Sequence, residues 1–78
     1  MTDRAEWIAG FARALGVEPP SAEEIEAVLG LAGVAAHASE RSAAPLACWL
    51  AARAGLDPDR ALELAKTQAG GEHAPKSE

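Results

Sequence analysis

The sequence predicts an all-α fold, a compact four-helix domain, on three observations. Apolar residues recur at helical spacing in four segments, alanine supplies twenty of the 78 residues, and turn-forming glycine, proline or serine separates each segment from the next. No run alternates as a strand does, and no heptad pattern persists. The predicted helices cover about residues 3–15, 22–38, 43–54 and 58–69. They form one domain over residues 1–70, followed by a disordered tail over residues 71–78.

The first helix opens at Thr2 and Asp3, with Glu6 three residues after Asp3 in capping-box position. Trp7, Ile8, Phe11, Ala12 and Leu15 follow helical spacing, and Gly16 with Val17 supplies a Schellman-type end. Pro19-Pro20 blocks continuation and holds the linker extended. Ser21 and Glu24 form the next capping box. Ile25, Val28, Leu29, Ala32 and Ala36 trace one face of the second helix, while Ala27, Leu31, Val34 and Ala38 trace the other. A helix apolar on both sides is central in a bundle or serves an interface. Gly30 and Gly33 lie on its flank with His37. Two mid-helix glycines cost about 1 kcal/mol each relative to alanine; either they weaken the helix or a neighbouring backbone comes close there, and close approach is the expectation.

The chain turns near Ser39–Ser42, with Ser42 as N-cap of the third helix and Pro45 tolerated in its first turn. Leu46, Trp49, Leu50 and Ala54 are read as its inward face, and Gly55 with Leu56 closes it. Asp57-Pro58 starts the fourth helix, whose inner face uses Ala61, Leu62, Ala65 and Leu64. Gly70-Gly71 is expected to stop it. Trp7 and Trp49 both fall on faces read as inward, so core packing is the expectation for each. A tryptophan at the edge of a small bundle can also anchor a partner.

Composition narrows the function classes. A net charge of −5 with singly scattered basic residues excludes a nucleic-acid surface, which needs clustered Lys and Arg. With one cysteine, Cys48, no intrachain disulfide can form. No apolar run approaches 18 residues and no signal peptide is read, so a cytoplasmic protein without a membrane span is expected. A domain of this size buries only about 60% of its unfolded surface, so a protein partner or a homodimer is expected to help hold it.

Polar chemistry concentrates in His37, Glu40 and Arg41. At i and i+3, His37 and Glu40 could act as a general base with its orienting carboxylate, or begin a metal site. Alternatively His37 meets the negative end of the helix dipole, and Glu40 and Arg41 tie the turn to the third helix. The second role is the expectation: no Cys/His cluster completes a metal site, and the other histidine, His73, lies in the tail. Cys48 near a helix N-terminus is a conceivable nucleophile beside His37, but a buried small residue is the ordinary role. Ser39 and Ser42 sit in no nucleophile elbow, and Gly30-Leu31-Ala32-Gly33 lacks the lysine of a phosphate loop. No serine has the context that an acyl carrier requires. No catalytic residue, metal or cofactor is therefore assigned. The candidate interface is Gly30, Leu31, Gly33, Val34 and Trp49.

Trp7, the Leu15-Gly16 helix end, Val28-Leu29-x-Leu31-Ala32 and above all His37-x-x-Glu40-Arg41-x-Ala43-Ala44-Pro45-Leu46 carry a family resemblance. Over about residues 3–65 the chain resembles a small actinobacterial helical domain of unknown function, found alone or appended to molybdenum-cofactor guanylyltransferases. The resemblance implies an accessory or docking module with such an enzyme as partner. It brings no catalytic assignment, and 78 helical residues hold no nucleotide-binding α/β domain. The function expected is thus a non-catalytic interaction domain, linked through the resemblance to molybdenum-cofactor biosynthesis. The alternative is a small enzyme or ligand-binding domain using His37, Glu40 and Arg41.

Overall fold

Local capping chemistry sets the helix ends in a computed structural model that describes residues 3–71. The helices run Arg4–Leu15 (α1), Ala22–Ala38 (α2), Ala43–Arg53 (α3) and Pro58–Gly71 (α4), with no strand among the described residues. At the start of α1 the Asp3 carboxylate accepts the Glu6 amide at 2.8 Å. The reciprocal half of that box, Glu6 back to the Asp3 amide, does not form. Gly16 adopts φ 77°, and the Val17 amide reaches the Ala12 carbonyl at 2.9 Å, which closes α1 in the Schellman manner. The capping box of α2 is complete. The Glu24 amide donates to Ser21 Oγ at 3.1 Å, and the Ser21 amide donates to Glu24 Oε1 at 2.9 Å.

Three element ends depart from the sequence reading. Ser42 is not a side-chain cap: its backbone is already helical, and the first amides of α3 are met by turn carbonyls instead. The Ala43 amide donates to the Glu40 carbonyl at 2.8 Å and Ala44 to Arg41 at 3.1 Å. α3 ends at Arg53, where Gly55 at φ 76° and the Leu56 amide on the Ala51 carbonyl complete the closure. α4 runs through Gly70 to Gly71 rather than stopping at 69. Gly70 keeps a helical φ, since a glycine weakens a helix by about 1 kcal/mol without forcing it to end. Of the tail expected over 71–78, Gly71 belongs to α4 and the rest lies outside the described residues.

α2 is the central element, as its two apolar faces require, and packs extensively against both α3 and α4. The core is small: Ala12, Ala27, Leu31 and Ala61 are its buried residues, and Leu31 is the one large side chain among them, 4% exposed. Gly30 is where α4 comes close. A methyl group built there would lie 3.3 Å from Leu62 Cδ2 and 3.4 Å from Cδ1, so a side chain, not a backbone, makes the approach. Around Gly33 the space is open.

The inward faces of α1 and α3 are not the ones that large apolar residues mark out. α3 turns Ala44, Ala47, Cys48 and Ala51, spaced i, i+3, i+4 and i+7, to partly buried positions, and leaves Leu46, Trp49 and Leu50 in solvent. α1 likewise half-buries Ile8 and Ala9 and buries Ala12, with Trp7, Phe11 and Leu15 exposed. Both tryptophans are 58% exposed, which overturns their reading as core. Leu64 of α4 is exposed too, while Ala61, Leu62 and Ala65 face inward as expected. Alanine faces let helices approach closely, so the small side chains win the interior although they bury little area each.

The arrangement is also more open than a compact bundle. Its Cα radius of gyration is 14.2 Å, against about 11–12 Å for a compact chain of this length. The principal extents are 47 × 26 × 18 Å. α1 makes only slight contact with the other helices and faces α2 across a cleft.

Candidate functional site

The exposed faces of α1 and α3 are the chief surface features of the molecule. On α3, Leu46 lies one turn before the adjacent Trp49 and Leu50 in a stripe, and the Arg53 guanidinium lies 4.9 Å from the Trp49 ring centroid. That cation–π contact fixes Trp49 against its own helix and leaves the other ring face free. On α1, Trp7 and Phe11 lie with ring centroids 5.2 Å apart at 32°, and Leu15 continues the line. Lone exposed apolar residues are ordinary, but contiguous stripes mark contact surfaces.

The residues of the expected interface divide. Leu31 is spent in the core of this chain, and Gly30 is covered by Leu62. Val34 is half-buried on the same side of α2 as Leu31, and Gly33 is half-covered with room above it. Trp49 alone of the five presents a large surface. Sequence reasoning placed Leu46 and Leu50 beside Trp49 correctly by spacing, but on the wrong side of the helix. The signal that could have corrected it was the opposite stripe, Ala44-Ala47-Cys48-Ala51, which is continuous and uncharged.

His37, Glu40 and Arg41 are exposed, and no hydrogen bond or ion pair within the described residues joins them or ties them elsewhere by their side chains. His37 occupies the last turn of α2, where a positive charge complements the dipole. Glu40 and Arg41 act through their carbonyls, which cap α3. Cys48 lies half-buried on the inner side of α3, and burial pushes its thiol above the usual range. A raised value disfavours the thiolate, the form that attacks as a nucleophile. Among the described residues no group of three or more His, Cys, Asp or Glu side chains could hold a metal ion.

A second feature went unread in the sequence. Between α1 and α2 lies a cleft of about 290 Å³, lined by Ile8, Ala9, Pro19, Pro20, Ile25, Val28 and Leu29, with Ala5 and Arg4 also on its wall. Pro19 and Pro20 of the α1–α2 linker form one end of its wall. Arg4 is its one charged group, and the cleft sits toward the N-terminal half of α2, away from His37. No helix among the described residues is long and apolar enough to cross a membrane.

Neither a curated protein nor a solved structure matches this chain. A family model matches residues 1–76, nearly the whole sequence. By that match the four-helix chain belongs to the family described as domain of unknown function DUF6457.

Proposed function

We propose that this chain is a non-catalytic protein-interaction domain that docks through the outward face of α3. The observation that carries the reading is the orientation of that helix, which packs alanines inward and leaves Leu46, Trp49 and Leu50 each more than half exposed. Tryptophan and arginine, here Trp49 with Arg53 at the end of the stripe, are residue types that dominate binding hot spots. The partner proposed is a molybdenum-cofactor guanylyltransferase in the cytoplasm. That choice rests on the resemblance carried by the His37-to-Leu46 string, whose last residue opens the exposed stripe.

The test is calorimetry of the full chain with such an enzyme. One-to-one binding is expected, and Trp49→Ala should weaken it by about thirtyfold or more, the loss typical of a hot spot. Trp49 is exposed, so circular dichroism of the variant should match the parent. Leu31→Asp is not a usable probe, because Leu31 is in the core and its loss breaks the fold. No binding by the parent chain, or equal binding by Trp49→Ala, would refute the proposal.

A further inference from the structure

We infer that the Trp7–Phe11–Leu15 face of α1 is covered by the same face of a second copy of this chain, the two helices running antiparallel about a two-fold axis at Phe11. The inference uses a surface apart from the α3 stripe, so the two readings can fail separately. It begins from what holds α1 in place. Ala12 is the only buried residue of this twelve-residue helix, and a cleft rather than interlocked side chains lies between it and α2. An isolated helix of that length is marginal in water. Small domains with thin cores are held by disulfides, metals or oligomerisation. With one cysteine no intrachain disulfide is open to this chain, and no metal-holding cluster lies among the described residues. Self-association is a means that needs no other molecule, since a second copy is always present at the chain's own concentration.

The area fits a dimer. Trp7, Phe11, Leu15 and Val17 are 58%, 49%, 60% and 58% exposed. At on the order of 200 Å² per large side chain, they offer on the order of 450 Å² per copy. Two copies thus present on the order of 900 Å² of apolar surface, which the Arg4 stems and Ala14 extend toward the roughly 1,000 Å² lower bound of a specific interface. The pattern is also self-complementary. Antiparallel pairing about Phe11 sets Trp7 of each copy against Leu15 of the other. It brings Arg4 to the end where Glu18 follows the other copy's helix. The helix dipoles then oppose, and the Trp7 and Phe11 rings already lie against each other, tilted by 32°, before contact.

Sedimentation equilibrium of the full chain tests this, over a concentration range of about a hundredfold. The expected mass is that of two 8.0 kDa chains. Phe11→Glu places two carboxylates together at the axis and should raise the dimer dissociation constant about thirtyfold or more. Arg4→Glu should weaken the dimer, and adding Glu18→Arg to it should restore the parent value. Trp49→Ala, on α3, should leave the dimer intact. Trp49→Phe makes Trp7 the sole indole, and its emission should shift to the blue as the dimer forms, without any change to the interface itself. A monomer at every concentration, a Phe11→Glu dimer as tight as the parent, or a Trp7 emission indifferent to concentration overturns the inference. A monomer that still binds an enzyme through Trp49 overturns the dimer alone.

Discussion

Gly30 and Gly33 occupy the same helix and differ only in what lies above them, so replacing each by alanine measures how closely α4 packs on α2. Both have helical φ, and each replacement gains about 0.8–1.0 kcal/mol of helix propensity. At Gly33 nothing lies within 4 Å of the added methyl, so the whole gain should appear. For a domain of this size that is a rise of roughly 4–8 °C in Tm. At Gly30 the methyl meets Leu62 at 3.3 and 3.4 Å. Leu62 must move a few tenths of an ångström or leave its rotamer, which costs about 0.5–1.5 kcal/mol. Gly30→Ala should therefore be close to neutral and fall below Gly33→Ala by that amount. In a Leu62→Ala background the penalty should vanish, giving a coupling of about 0.5–1.5 kcal/mol between the two positions. Urea unfolding at one fixed chain concentration is the assay, because a self-associating chain has a concentration-dependent stability. If Gly30→Ala stabilises as much as Gly33→Ala, the close approach of α4 is refuted. If Gly33→Ala destabilises, something in solution covers a surface that is open in the single chain.

Two further outcomes follow from named contacts. Ser21→Ala removes the hydroxyl that accepts the Glu24 amide and frees the Glu24 carboxylate from its reciprocal role. It should cost about 1 kcal/mol, seen as a fall of several degrees in Tm, and an unchanged Tm would show that water replaces the box. The Cys48 thiol is raised by burial in the folded chain. Its folded value exceeds its unfolded one, so the associated stability is complete below the unfolded value of about 8.5 and is lost as pH rises through the folded value. Iodoacetamide alkylation followed against pH should therefore show a higher midpoint for the native chain than for the chain in denaturant; an equal or lower midpoint contradicts the burial.

The helix boundaries were legible because they are local. Ser21 with Glu24, Gly16 with Val17, Gly55 with Leu56 and Pro58 each act within a few residues, and backbone geometry answers to them directly. The central place of α2 was legible as well, since a helix apolar on two sides must be covered on two sides. The sides chosen by α1 and α3 were not, because periodicity locates faces but does not rank them. Both helices carry two apolar faces, one of large residues and one of alanines, and reading the larger as inward assumes a core able to receive it. Ser42 misled for a related reason: a serine before a helix signals a cap, yet the tight turn had already given the first amides the Glu40 and Arg41 carbonyls. The triad His37, Glu40 and Arg41 drew attention by composition alone, and its side chains are exposed with no bond among them.

An interior of alanines with large residues outside changes what stability means for this chain. A buried alanine removes little apolar area from water, while a buried leucine, phenylalanine or tryptophan contributes about 1.5–3 kcal/mol or more. Among the described residues Leu31 is the single large one that makes nearly all of that contribution, and ten others remain substantially exposed. A large share of the hydrophobic free energy encoded in the sequence is thus unrealised in the isolated protomer. It becomes available when the α1 and α3 faces are covered, and the same step that forms an interface then consolidates the fold. Binding and folding are linked in such a chain, so each partner that covers a stripe should raise the melting temperature as well as occupy a surface. A catalytic domain of this size would need the opposite economy, a rigid interior that fixes reacting groups before substrate arrives. The distribution of large side chains, more than the absence of any one reactive group, is the ground for proposing an interaction domain.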